Sequence, residues 1–98
     1  MAKYILLWEV DASRTPEDPK AKRSQWLQFH DVTIKDIKDG AIKEWGLFAG
    51  ELCGYSIFEG SAVEVHTLAA KWMPFCKFKV SELLTIDESL KAAKALPE

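Results

Sequence analysis

The chain has 98 residues, of which 48% are hydrophobic and 29% charged, and its formal net charge is −2 at pH 7. This length and composition fit one globular domain over residues 1–98 and argue against a disordered or low-complexity chain. The slightly acidic balance argues against nucleic-acid binding, which needs a basic face, and no segment approaches the roughly 18 apolar residues of a membrane span.

The amino terminus and the cysteines indicate the compartment. The apolar run at residues 4–8 is too short for a signal peptide, and Glu9 stands where a cleavage site would be expected. Cys53 and Cys76 form no CxxC pair. We expect both to be free thiols that pack as small buried hydrophobic groups. The four spaced ligands of a structural zinc site are not present. We expect a cytoplasmic protein with no metal and no cofactor.

The first half of the chain predicts a strand and a long helix. Residues 4–10, YILLWEV, are apolar in both alternating rows, which is typical of a strand covered on both faces. After a loop with two prolines, residues 20–38 form an amphipathic helix that ends at Asp39-Gly40. The residues that share its apolar face are Trp26, Leu27, Phe29, His30, Thr33, Ile34 and Ile37.

The second half predicts a hairpin, a helix, a strand and a terminal helix. Residues 41–48 and 53–60 alternate as two strands joined by a short turn. Strict alternation puts Trp45 and Ile42 in different rows of the first of these strands. Capping boxes at Ser61–Glu64 and Thr85–Glu88 begin two helices, the first running to about Met73 and the second to residue 96. The fourth strand lies between them, at residues 75–84.

The order β-α-β-β-α-β predicts an α+β, ferredoxin-like split βαβ fold with a short C-terminal helix. Right-handed crossovers would place both helices on one face of a four-stranded antiparallel sheet, with the first and third strands at its centre. The other face would carry apolar side chains that one chain cannot cover. We therefore expect a homodimer packed sheet on sheet, burying ~800 Å² per subunit, which Tyr55→Glu or Trp45→Glu should disturb.

Three segments carry a resemblance to a known family. They are GELCGYSIFE at residues 50–59, KWMP at residues 71–74 and FKV at residues 78–80. With the element order, they resemble the dimeric α/β-barrel superfamily over residues 3–84, closest to small single-domain members of unknown function. The chain departs from the usual pattern after its fourth strand, where a proline is common and Val80-Ser81-Glu82 instead runs on toward a helix.

The resemblance implies a dimer whose two sheets form a barrel, with a cavity between sheet and helices or within the barrel. The superfamily includes cofactor-independent monooxygenases, muconolactone isomerases, stress-response proteins and haem-dependent peroxidases. Fold-level similarity does not identify a substrate.

His30 and a pair of glutamates are the candidate catalytic residues. His30 lies on the apolar face of the long helix, as a general base or haem ligand in a cavity, or as a core-edge histidine bonded to a backbone carbonyl or an acid. Glu9 and Glu59 each end a strand, and as parallel neighbours these strands would bring the carboxylates together at one edge. The alternative is two solvated strand-end acids.

Trp8, Trp45 and Tyr55 are the candidate ligand-binding residues, since they could line a pocket for a flat aromatic molecule or form the dimer core. The leading hypothesis is a homodimer that binds a small apolar or aromatic molecule. One alternative is a cofactor-independent monooxygenase or isomerase acting on an activated aromatic or lactone. The other is a purely structural dimer without a cavity. A pocket beside His30, with Glu9 or Tyr55 within reach, would favour the enzyme.

Overall fold

The computed structural model describes residues 2–97. The elements follow one another as β1 (Ala2–Val10), a 3₁₀ turn (Ala12–Arg14), α1 (Pro19–Lys38), β2 (Ile42–Leu47), β3 (Cys53–Gly60), α2 (Ala62–Ala70), β4 (Cys76–Leu83) and α3 (Ile86–Lys94). This order confirms the predicted α+β class, and every predicted element is present.

Local sequence signals set the ends of α1. The Asp18 side chain accepts a hydrogen bond from the Ala21 N–H at 2.9 Å, and Pro19 occupies the first turn, where a missing N–H costs nothing. Gly40, with φ of 82°, follows the helix in a left-handed conformation that glycine adopts readily. The helix therefore begins one residue before its predicted start and ends where predicted.

Both predicted capping boxes are formed. The Ser61 hydroxyl accepts from the Glu64 N–H at 3.1 Å, and the Glu64 carboxylate accepts from the Ser61 N–H at 3.1 Å. Thr85 and Glu88 repeat this arrangement at the start of α3. The α2 helix ends at Ala70, earlier than predicted, because residues 71–75 form turns before β4.

The sheet has the order β2-β3-β1-β4, and all its pairs are antiparallel. The central positions of β1 and β3 confirm the ferredoxin-like split βαβ arrangement. Register places Tyr4 opposite Phe58 and Leu7 opposite Tyr55. Residues opposite one another point to the same side, so this register assigns each side chain to one face of the sheet.

The two faces differ in how well one chain covers them. On the inner face, under α1 and α2, Leu6 is 1% exposed and Trp8 7% exposed, whereas Leu7 on the other side of the same strand is 40% exposed. Tyr4 and Phe58 pack there with residues of α2. We call the second side the open face, and its central apolar residues are Ile5, Leu7, Phe48, Tyr55 and Ile57.

A β-bulge changes the faces of β2. The register shifts between Ile42 and Glu44, so Ile42 lies opposite Phe58 and Trp45 opposite Ser56, both on the inner face. Strict alternation had put Ile42 and Trp45 on different sides, and this prediction was wrong. The extra residue at Lys43 lets both side chains face the helices.

The last helix stands apart from the rest of the domain. Every residue of α3 is exposed, and within residues 2–97 it makes no substantial contact with another element. The molecule measures 60 × 26 × 22 Å with a radius of gyration of 16.4 Å, against about 13 Å for a compact chain of this length. No helix of the described chain is long and apolar enough to cross a membrane.

Candidate functional site

A cavity of about 60 Å³ lies between the inner face of the sheet and the helices. All four tryptophans of the chain line it: Trp8, Trp26, Trp45 and Trp72. Its wall is largely apolar, with polar atoms supplied by a few side chains, as in many small-molecule sites. The predicted cavity between sheet and helices is therefore present, although Trp26 and Trp72 were not among the predicted ligand-binding residues.

Trp8, which lines this cavity, carries a hydrogen-bond donor without a partner. Its indole Nε1 is buried and has no hydrogen-bond partner in the described chain. The ring stacks on Trp45, with centroids 5.5 Å apart and planes inclined by 16°. Gly54, opposite Trp8 in β3, leaves room for the indole, since a Cβ there would lie 2.6 Å from Trp8 Cζ2. The absence of a side chain at Gly54 therefore leaves the space in which the Trp8 ring packs.

His30 enters the same cavity from α1. Its Nδ1 lies 2.7 Å from the carbonyl oxygen of Trp26, one turn earlier. A carbonyl only accepts hydrogen bonds, so Nδ1 must carry the proton, and Nε2 of the neutral ring is an acceptor. The ring also packs edge-on against Trp26 and Trp45, with centroids 5.2 and 6.1 Å away. The carbonyl-bonded arrangement and the cavity position, weighed as alternatives from the sequence, occur together.

Three smaller side chains add polar atoms to the lining. The Thr33 hydroxyl donates to the Phe29 carbonyl at 2.8 Å within α1. Ser56 is buried on the inner face, 6% exposed, opposite Leu6 of β1 and Trp45 of β2. Cys76 is also buried, and burial raises the pKa of its thiol to about 11. The thiol stays protonated at neutral pH, which supports a packing role over a nucleophilic one. Ser56 could have been predicted as a lining residue from the sequence, because it is a polar residue in the same row of β3 as Gly54 and Phe58.

A second hollow of about 260 Å³ adjoins the cavity and shares Val10 and Trp26 with it. The proline-containing loop contributes Thr15, Pro16 and Glu17 to this hollow, and the first turns of α1 contribute Lys22 and Gln25. The Gln25 side-chain amide donates to the Arg14 carbonyl at 3.2 Å, which ties the loop to the helix. We call this hollow the vestibule, and the shared Val10 and Trp26 place it beside the inner cavity.

Tyr55 does not belong to this site. It lies opposite Leu7 on the open face, where its ring covers Gly46 and stacks on Phe48 with centroids 6.3 Å apart. Partial burial raises the pKa of its hydroxyl, and the neighbouring Glu44 carboxylate adds to this effect. Of the predicted ligand-binding residues, the structure brings together Trp8 and Trp45 and leaves Tyr55 on the other side of the sheet.

Glu9 and Glu59 are not neighbours. Because β1 and β3 are antiparallel, Glu9 lies opposite Cys53 and Glu59 lies opposite Lys3, at the two ends of β1. From Lys3 to Glu9 the strand advances by six residue steps, or roughly 20 Å. Glu9 also faces Lys77 of β4. The expected carboxylate pair was wrong, because it assumed parallel strands.

The geometry offers no metal centre in residues 2–97, where no group of three or more His, Cys, Asp or Glu residues could hold an ion. A cavity of about 60 Å³ is also far too small for haem. No protein-family model matches the chain, and no curated protein is significantly similar to it.

Proposed function

We propose that the protein binds a small, largely apolar molecule that carries a hydroxyl group. The buried, unpaired Nε1–H of Trp8 supports this proposal. Leaving such a donor without a partner costs about 1–3 kcal/mol, so the site favours a molecule with an acceptor there. A hydroxyl can accept from Trp8 and donate to Nε2 of His30, which lines the same cavity.

The volumes of the two hollows limit the size of the ligand. A volume of about 60 Å³ holds only a few water-sized groups, whereas the vestibule of about 260 Å³ holds more. The polar head of the ligand would occupy the inner cavity, and its remaining atoms would pass between Val10 and Trp26. Trp26, which lines both hollows, offers an aromatic face against which a flat body can stack.

We also propose that two copies pack through their open faces, as in the dimeric α/β-barrel superfamily. Leu7, in the central strand β1, and Phe48, just beyond β2, are 40% and 41% exposed in an apolar area that one chain leaves uncovered. Charged residues of β4, Lys77 and Lys79, lie toward its rim. An apolar centre with a polar rim is the usual composition of a protein interface.

Catalysis is a second candidate function, favoured by the position of His30. With Nδ1 fixed on the Trp26 carbonyl, Nε2 could take the proton of a bound phenol, as a cofactor-independent monooxygenase or an isomerase requires. Glu9 and Tyr55, the expected partners, lie on the other face of the sheet. Binding is therefore the leading proposal.

Phenol and toluene test the binding proposal, because they have similar size and only phenol has a hydroxyl. We expect phenol, titrated into ¹⁵N-labelled protein, to shift the indole N–H resonance of Trp8, with toluene binding at least about tenfold more weakly. In Trp8→Phe, which keeps an aromatic ring without the donor, the two affinities should move closer together, because only the hydrogen bond to His30 then distinguishes phenol from toluene. Equal affinities in the unmodified protein, or no binding of phenol, would contradict the proposal.

A further inference from the structure

The C-terminal helix presents an apolar stripe that nothing in its own chain covers. Ile86, Leu90 and Ala93 follow one another at helical spacing, and Ile86 is 82% and Leu90 51% exposed. Of the charged residues of the helix, Glu88 and Lys91 lie on its other side, and Asp87 and Lys94 flank the stripe. Sequence and capping thus specify an amphipathic helix with one face prepared for burial.

Such a helix needs a packing partner. Nine residues are too few for a stable isolated helix in water, where nucleation is costly. Two residues, Leu84 and Thr85, separate α3 from the end of β4, and the helix extends the molecule to 60 Å against 26 Å and 22 Å in the other directions. The helix layer and sheet of its own chain therefore do not meet the stripe.

The stripe continues from the proposed dimer surface. Leu83, the last residue of β4, lies opposite Lys3 on the open face, and Ile86 follows three residues later. A two-fold pair of open faces would bring the second copy next to this end of the sheet. A standard interface buries ~800 Å² per subunit, and Leu7 and Phe48 on the open face are only 40% and 41% exposed, whereas Ile86 in the stripe is 82% exposed. The stripe therefore supplies further apolar area for burial.

We propose that α3 is an exchanged arm that packs on a second copy of this chain. The inference rests on the proposed homodimer and is independent of ligand binding. Each subunit contributes one arm and receives one, so two copies of the contact form in each dimer.

Paired asparagine substitutions on the two sides of α3 test this arm. Leu90→Asn places a polar group in the stripe, and Lys91→Asn places the same residue on the charged side. Both substitutions carry a similar helix-propensity cost. We expect Leu90→Asn to raise the dimer dissociation constant, measured by sedimentation equilibrium, by at least about tenfold, and Lys91→Asn to change it by less than about threefold.

Isotope-filtered NOE spectra of a dimer with one labelled and one unlabelled subunit identify the copy on which the arm lies. We expect contacts from the Ile86 and Leu90 methyl groups to the unlabelled subunit. Two results would overturn the proposed arm while leaving open-face pairing intact. One is an unchanged dimer dissociation constant in Leu90→Asn, and the other is α3 contacts only within one subunit. A monomeric unmodified protein would overturn both.

Discussion

Trp8 of β1 and His30 of α1 line one cavity from opposite layers of the fold, and Trp45 contacts both rings. The indole offers a buried N–H without a partner, and the imidazole, held through Nδ1, offers an acceptor at Nε2. A donor and an acceptor in an apolar cavity are complementary to a hydroxyl group. The first two predictions test how the protein maintains this arrangement.

Removing the His30 ring should affect binding more than folding. The Trp26 carbonyl already lies within α1, so the lost hydrogen bond is expected to cost no more than about 1 kcal/mol in His30→Ala. The affinity for phenol should fall about tenfold, because the ligand hydroxyl loses its acceptor. Urea denaturation and phenol titration measure the two effects. His66→Ala, at an exposed position of α2, is the matched control and should change neither.

The position of Trp8 depends on the absence of a side chain at residue 54. Gly54→Ala should lower the free energy of unfolding by about 2–3 kcal/mol, because its methyl group would collide with the indole and with the Gly46 carbonyl. The Trp8 indole N–H resonance should move as well. At Gly50 an added Cβ meets nothing, and Gly50→Ala should cost about 1 kcal/mol through its φ of 83° alone. Thermal denaturation can compare the stabilities of the two variants. Equal losses of stability in both, together with an unchanged indole resonance in Gly54→Ala, would argue against this packing.

Cys76 should resist alkylation in the folded protein. Burial raises the pKa of its thiol from 9.0 to about 11, so its thiolate fraction stays small until the pH approaches that value. Burial and the Glu51 carboxylate also raise the pKa of Cys53, but this residue is only half-buried. Mass spectrometry after iodoacetamide treatment should show Cys53 modified first and Cys76 modified only on unfolding.

The same shift of the Cys76 pKa gives a dependence of stability on pH. Above pH 9 the thiol of the unfolded chain ionises while the native thiol stays protonated, so the unfolded state binds fewer protons and stability falls as pH rises toward about 11. Below pH 9 the Cys76 thiol is protonated in both states, so it causes no change of stability with pH. Cys76→Ala should flatten the loss measured by urea denaturation across this window, and an unchanged slope would contradict the assignment.

Tyr55 should control self-association. Tyr55→Glu places a charge at the centre of the open face, and we expect the dimer dissociation constant to rise at least about tenfold. His66→Glu adds the same charge on exposed α2 and should have no effect. The two can be compared by sedimentation equilibrium. Trp45→Glu is no longer expected to act on the dimer surface directly, because Trp45 lies on the inner face.

Local patterns predicted the elements well because they act over a few residues. Two capping boxes, a glycine after α1 and the alternation in β1 each specify their own segment. The strong apolar character of both rows of β1 also indicated an uncovered sheet face, and Leu7 is indeed 40% exposed. His30 was found because a histidine on an apolar helix face differs from its neighbours.

Which residues line the cavity could be learned only from the tertiary structure. The bulge between Ile42 and Glu44 turns Trp45 toward the helices, and the antiparallel pairing of β1 with β3 sends Glu9 and Glu59 to opposite ends. The sequence by itself determined the elements and their order, through caps, turns and hydrophobic period. Only the tertiary structure decided which side chains meet, because strand direction and register are set by pairing between distant segments, and a single inserted residue reverses the face of all that follow.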